Sequence, residues 1–496
     1  HSAALPAARA NRDAKIILME RYGYFGGDVT GGYVLVVPSL SWRKYSVIRG
    51  IQEEWFSRLD KSCPEAYLSP RLEDIGKNDP ILIGKWGKIP FCTNGFGDDK
   101  VLARAPSYDP QQLKIEMDLM IQEEPNIEVL LHCWGTKPIM EGKEIKGVIF
   151  ESKAGRQAVY AKVVIDATGD GDIYAQAGAP FHGKSGIPGE MVRDNQTALV
   201  WRAGGVDYEA YTDWTRANPE EAREFSKGLI ELAGYRTMFF PAGCLDVVWF
   251  NNWLNGRLCT DLKDIRETEF IVRNSIRKLL DYCKEKCPAG FSKAYLLDIA
   301  PQLGVRCSRR LDGQIYMTMK DLAANRAFDD VIAWSTTTGS SVPVEIPYGC
   351  IVPKGVDNLL APGRHLSADP LAIGPLQLIP QCCQTGQAAG VAGLARREGE
   401  HGAPAPDPDG GLGQHRRRHG DGSDAQRHTR PDAVREHAGH HGLRDGSASV
   451  GLRTDGQRAG VRVGDGFQQV PVVFPADLPQ VYGRDRSGGS RQHHAV

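Results

Sequence analysis

Along the first four-fifths of the chain, apolar and polar positions follow recognisable periods. Lys15–Met19 is a short apolar run closed by Glu20 and predicts a strand; the Ala-rich stretch Leu5–Asn11 before it predicts the end of a helix. Trp42–Asp60 puts Val47, Ile48, Ile51, Trp55 and Leu59 on one side of a predicted helix. Asp109 before Pro110 reads as N-cap and first-turn residue of a helix running to about Glu123. Strands are predicted over Glu128–His132, Glu144–Glu151, Gln157–Ala161 and Lys162–Asp166, with the turn "EGKE" joining two of them. Residues 181–350 are mixed, rich in Trp, Tyr and Arg, and hold a long predicted helix over Arg266–Lys286. From residue 346 the pattern returns to a strand, a loop and an Ala/Gly helix. A helix, a strand, a meander and a second apolar strand predict an α/β fold with a small antiparallel insert.

After Arg397 the periods disappear. From His401 to Val496 there is no Lys, Cys, Ile, Met or Trp, and Glu436 is the only Glu. Such a composition buries too little apolar surface to offset its ordering entropy, so 398–496 is expected to be a disordered tail. Three origins compete: a plain linker or tail, a basic nucleic-acid arm whose Asp residues nearly offset its Arg residues, and a GC-rich gene translated in a shifted frame. The frame-shift reading is preferred, because GC-rich codons favour Arg, Gly, Ala, Pro and His.

The remaining bulk properties exclude several classes. A length of 496 residues with 41% apolar residues supports two or three domains. A net charge of −1 gives no general attraction to nucleic acid or acidic membranes. No run of 18 apolar residues predicts a membrane span, and "HSAALPAARANRD" lacks a signal-peptide layout. The 11 scattered cysteines suit reduced thiols and a cytoplasmic enzyme. Neither Cys283/Cys287 nor Cys382/Cys383 has zinc-site spacing, so no metal is expected.

Candidate chemistry gathers at predicted strand ends. Glu20 can accept hydrogen bonds from a ribose diol, or be a surface acid before a turn. Gly26-Gly27 and Gly31-Gly32 permit close backbone approach, or simply make turns. In "VVIDATGDGD", small Ala167, Thr168 and Gly169 let a ligand pass over the strand end, while Asp170 and Asp172 can pair with amides or a hydroxyl. The bland reading is a capped strand-to-helix turn. "NLLAPGRHLSAD" ends another strand, with Gly363 allowing close approach; the following helix "QCCQTGQAAGVAGLA" offers amides to partial negative charge, or packs tightly through Gly386 and Gly390. Arg306, Arg309 and Arg310 can clamp a carboxylate, or form an exposed basic turn. His182 and His365 lie in plausible site loops, and His132 reads as structural.

Taken as a set, "LMERYGYFGGDVT", "DPQQLKIEMDLM", "VVIDATGDGD", "LLDIAPQLGVRCSRRLDGQ", "IPYGCIVPKGVDNLLAPGRHLSAD" and "TGQAAGVAGLA" resemble the FAD-dependent oxidoreductases related to fumarate reductase and glutathione reductase flavoproteins. The resemblance runs from about Ala7 to Arg397. It implies a Rossmann-like FAD-binding domain over 1–40, 105–180 and 350–397, with an inserted α+β substrate domain over 41–104 and 181–349. It puts Glu20, with Arg21 beside it, at the adenosine ribose, Gly26, Gly27 and Thr30 along the cofactor, and Thr168, Gly169 and Asp170 near the pyrophosphate. Gly363, Arg364 and Asp369 are implied at the ribityl chain, and Gln381 to Gly386 at the isoalloxazine edge. The implied reaction moves a hydride between flavin and a small polar or anionic substrate oriented by Arg306, Arg309 and Arg310, with an unidentified electron acceptor. Two departures stand out. The sequence opens inside the Ala-rich helix, without the family's first strand and Gly-rich loop, and Cys307 stands where the family often has an acid. The first leaves an alternative: a truncated, non-catalytic flavoprotein remnant with weak or no FAD binding. A partner-binding scaffold using the Arg/His tail is a third option.

Overall fold

The computed structural model describes residues 1–395 apart from 39, 43–44, 47, 96–98, 184–195 and 337–342; the predicted tail 398–496 lies outside the described residues. Helix Ala4–Ala10 buries Ala4, Leu5, Ala7 and Ala8, and its chain turns at Asn11 into strand Ile16–Glu20. That strand pairs in parallel with Ile127–Leu131, which sets Glu20 opposite Leu131 at the carboxyl end. The connection between them contains helix Pro110–Gln122, started as predicted: the Asp109 side chain accepts from the amides of Gln111 and Gln112. A second parallel pair, Val164–Ile165 with Leu359–Leu360, ends at the small-residue turns that follow Asp166 and Ala361. The antiparallel insert between them has three strands, Trp134–Glu141, Glu144–Ser152 and Gly155–Tyr160. Its first strand is absent from the pattern reading. Gly135 and Pro138 interrupt that stretch, and Pro138 is accommodated because Trp134–Glu141 is the edge of the insert.

The mixed region forms a six-stranded sheet from Gln196–Ala198, Trp201–Gly204, Arg236–Pro241, Val247–Asn255, Tyr295–Ile299 and Gly304–Cys307. Helix Leu262–Lys286 covers it through Val272, Ile276, Leu279 and Cys283, in one core with Trp201, Phe225, Phe250 and Phe291. The predicted helix over Trp42–Asp60 is corrected. Ser41–Trp42 and Tyr45–Ser46 are paired strands, and the helix is Ile51–Ser62, entered through Gly50. A residue with φ of 90° at Gly50 lies outside the helical region and fixes that boundary.

Two features join the parts. Arg202, on the large sheet, is 4% exposed and bridges Asp298 beside it and Asp109, the cap of helix Pro110–Gln122, at 2.6 Å and 2.5 Å. Helix Ile379–Ala395 lies so close to the start of the chain that a Cβ on Gly390 would collide with the Ala3 carbonyl oxygen. The tight-packing reading of that helix is therefore realised. All eleven cysteines are free thiols, and no helix among the described residues is long and apolar enough to cross a membrane.

Candidate functional site

The carboxyl ends of the two parallel pairs, with the turns that follow them, carry Glu20, Arg21, Thr168, Gly169, Asp170, Gly363 and Arg364. At the first, the strand hands directly from Glu20 to a tight turn. The Glu20 carboxylate accepts from the Tyr22 amide at 3.0 Å, and the Glu20 carbonyl accepts from the Cys133 amide at 3.0 Å. Burial raises the Glu20 carboxyl above its ordinary range, against the Tyr22 amide and nearby positive charge. The Arg21 guanidinium lies over the rings of Tyr22, at 4.7 Å, and Trp134, at 5.5 Å. His132 takes a left-handed φ of 54° just past the paired strand, with its ring against Gly23, which supports a structural role.

The next segment is a locked turn. Gly26 has a φ of 106°, and the Thr30 hydroxyl, fully buried, donates to the Phe25 carbonyl across it. Thr30 thus closes the turn, while Gly27 has open space where a Cβ would stand. The following residue, Asp28, turns towards the second strand pair and meets Arg364 at 3.9 Å.

At that second pair, Asp166 is the capping acid. Its Oδ1 accepts from the Thr168 amide and hydroxyl at 3.1 Å and 2.7 Å, and its Oδ2 from the amides of Ile173 and Tyr174 at 3.1 Å and 2.9 Å. The Thr168 hydroxyl in turn accepts from the Asp172 amide. The cap releases Asp170 for other partners. It accepts from Ser308 Oγ at 2.7 Å and from Arg364 Nη2 at 2.9 Å, and Arg364 lies across the face of Gly169. Burial pushes both Asp28 and Asp170 upward, with opposite outcomes. For Asp170, the Arg364 charge and the hydrogen bonds from Ser308 and Cys259 prevail and hold it below the ordinary range. For Asp28, burial prevails over the Arg364 charge, the Asp170 charge adds to it, and the carboxyl is raised. Two carboxylates sharing one guanidinium split in this way because the second cannot ionise cheaply beside the first.

The neighbouring loop adds Gly363, with a φ of 111° and open space at its Cβ position, whose amide donates to Thr385 Oγ1 at 3.2 Å. His365 is fully buried. Burial lowers its pKa, so the ring is neutral, and its Nε2 lies 3.1 Å from the Asp166 carbonyl. A carbonyl only accepts, which places the proton on Nε2 and leaves Nδ1 an acceptor. Gln381 Nε2 donates to the Trp334 carbonyl at 3.0 Å. Gly386 packs against Ser2. The Asp369 carboxylate accepts from the amides of Met319, Leu371 and Ala372 at 2.6–2.8 Å and ties its own turn to the segment at Met319.

Of nineteen buried side-chain polar atoms without a hydrogen-bond partner among the described residues, five lie on the turn at Asp28 or on the segment 364–381: Asp28 Oδ1, Arg364 Nε, His365 Nδ1, Gln377 Nε2 and Gln381 Oε1.

The three arginines diverge. Arg309 donates to the Asp170 carbonyl at 2.8 Å and to the Asp172 carboxylate at 2.9 Å. Arg310 is 2% exposed and donates to the Tyr316 hydroxyl and to the carbonyls of Ala368 and Gly183. Arg306 lies over the Trp253 ring at 4.7 Å. His182 sets its ring edge against Tyr316. Asp28 and Ser308 were not singled out by sequence; for Asp28 the signal was its place directly after the Gly26-Gly27 pair.

A family model described as FAD dependent oxidoreductase matches residues 1–401. Among solved structures, the chain is similar to a p-nitrophenol 4-monooxygenase from Pseudomonas putida DLL-E4, at 11% identity over 79% of this chain and 76% of that one, with a TM-score of 0.39. It is also similar to an L-amino acid deaminase from Proteus vulgaris, at 11% identity over 80% and 88%, with a TM-score of 0.37. A third is an L-proline dehydrogenase from P. horikoshii, at 10% identity over 78% and 88%, with a TM-score of 0.35. No curated protein sequence matches the chain.

Proposed function

Because the chain belongs to the FAD dependent oxidoreductase family, we propose that it transfers a hydride between FAD and a carbon of a small polar or anionic organic substrate. The residues present fit the cofactor. An acid stands at one strand tip for a ribose, open glycine positions stand at residues 27 and 363, and Arg364 stands between Asp28 and Asp170 with its Nε unpaired. The open glycine positions beside that charged cluster are the observation that carries the reading. Bound FAD would supply the hydride-accepting and hydride-donating chemistry.

The chain's own groups supply binding and proton handling. Glu20 accepts from ribose hydroxyls, more strongly as a carboxylate than as a neutral acid. Arg364 offers Nε, and Gln381 and His365 offer acceptors, to the polar edge of the cofactor. Asp170 holds Arg364 in place. Asp28, held above the ordinary carboxyl range as Glu20 also is, lies 3.9 Å from Arg364 and is suited to carry a proton there. The orientation of an anionic substrate is assigned to the arginine segment 306–310; Arg306 stands on the large sheet, while Arg309 and Arg310 are committed to partners within the protein.

The test uses the full chain, mixed with FAD and freed of excess. Retained flavin absorbance that bleaches anaerobically on addition of one member of a panel of amino, hydroxy and dicarboxylic acids supports the proposal. A colourless protein that FAD cannot reconstitute refutes it and favours a chain without catalytic activity.

A further inference from the structure

We propose that the indole of Trp134 is the stacking platform for the adenine of FAD, which makes this residue the determinant of FAD over shorter flavins. The inference rests on the reading above and deepens it.

Trp134 opens the edge strand of the antiparallel insert and is 53% exposed. An aromatic ring of this size left half in water is an unused contact surface. Its position is fixed by the backbone. The preceding residue, Cys133, donates its amide to the carbonyl of Glu20, so Trp134 stands beside the strand tip that carries the ribose acid. One side of the indole is already engaged by the Arg21 guanidinium, 5.5 Å from the ring centre. Arg21 also covers Tyr22, whose ring stacks on Tyr24 at 5.3 Å and 3°, and Lys114 Nζ closes the row 4.1 Å from the Tyr24 ring. From Trp134 to Lys114 the order is ring, cation, two stacked rings and cation, a braced row that holds the outer indole by its neighbours.

A purine is flat, uncharged at neutral pH, and joined to its ribose by a single bond. A ribose held at Glu20 therefore carries its base within reach of the Trp134 ring. Stacking of a base on an aromatic side chain is lost on substitution by alanine at a cost of about ten- to hundredfold in affinity. Arg21 acts as the positioning residue for the ring, through the same guanidinium that faces Tyr22.

The experiment compares the full chain with Trp134→Ala and Trp134→Phe. Dissociation constants for FAD and FMN are measured by flavin fluorescence titration, and the melting temperature and sedimentation profile of each protein are recorded. The expected result is FAD binding weakened about ten- to hundredfold in Trp134→Ala and less than threefold in Trp134→Phe, with FMN binding unchanged in both. Equal FAD affinity in the unaltered chain and Trp134→Ala overturns the inference while leaving the flavoprotein reading intact. An altered oligomeric state in Trp134→Ala at unchanged FAD affinity also overturns it, and assigns the ring to contact between copies. If the unaltered chain binds neither flavin, the underlying reading fails and the inference falls with it.

Discussion

Asp28 and Asp170 are the same residue type on either side of Arg364, and the structure predicts opposite consequences for neutralising them. Asp170 accepts two hydrogen bonds, from Arg364 at 2.9 Å and Ser308 at 2.7 Å, and the ion pair is 17% and 10% exposed. Removing one member of a buried pair costs about 3–5 kcal/mol. Asparagine keeps the volume and one carbonyl acceptor, and Arg364 retains Asp28 at 3.9 Å, so Asp170→Asn belongs at the lower end, about 3 kcal/mol. At about 2 °C per kcal/mol for a chain of this size, that is a fall of about 6 °C in Tm. Asp28 makes no hydrogen bond to Arg364, and its Oδ1 is dry and unpaired. Asp28→Asn removes a charge that burial and Asp170 disfavour, so stability at neutral pH holds or rises. The pH profiles separate the two further. The Asp170 carboxyl is lowered on folding, so its contribution is present above the ordinary carboxyl range and is lost as pH falls through its folded value. The Asp28 carboxyl is raised, so its contribution is complete in acid and lost as pH rises through its folded value. The advantage of Asp28→Asn over the unaltered chain therefore grows with pH, while the deficit of Asp170→Asn shrinks in acid. Thermal unfolding of the FAD-free full chain, followed by near-UV circular dichroism from pH 3 to 8, measures both. Asp28→Asn falling as far as Asp170→Asn at pH 7 would refute the charge assignment.

Arg202→Met keeps volume but strands Asp109 and Asp298; because those acids are 24% and 31% exposed and can draw water, the expected loss is about 2–4 kcal/mol in chemical denaturation. Gly390→Ala should lose about 1–2 kcal/mol from collision with Ala3, whereas Gly393→Ala, with its nearest side-chain atoms at 3.6 Å and 3.7 Å, should gain about 0.5–1 kcal/mol from helix propensity; equal changes at both positions would disprove the packing argument. Glu20→Gln should weaken FAD binding about tenfold at neutral pH. Affinity of the unaltered chain should drop as pH falls through the raised Glu20 value, with a flatter profile in the variant, read by equilibrium titration.

Strand and helix positions with strong periods were readable from sequence because burial acts on each residue independently. Ile16–Glu20, Pro110–Gln122, Leu262–Lys286 and the Ala/Gly helix lie within a few residues of their predicted bounds. Trp134–Glu141 was missed because an edge strand tolerates a proline that a pattern reader takes as a break. The hairpin at Ser41–Ser46 was hidden by apolar residues that also fit a helix face. Site residues were readable as far as backbone shape selects them. Gly26, Gly363 and the Asp166–Gly169 turn stand where small side chains predict. Side-chain partnerships over long separations were not. Nothing in "GVRCSRRLDGQ" reveals that Arg309 meets Asp172 or that Arg310 meets Ala368, and nothing around Asp369 reveals that its carboxylate accepts from the Met319 amide fifty residues away. Such pairings depend on which distant segment arrives, and no local period records that.

The contact between Gly390 and Ala3 sets a schedule for biosynthesis. Ala3 rests against a helix made almost four hundred residues later, so the segment around it completes its packing only once that helix has been synthesised. Chaperone dependence and sensitivity to elongation rate should therefore exceed those of a circularly permuted chain in which the two segments are born together.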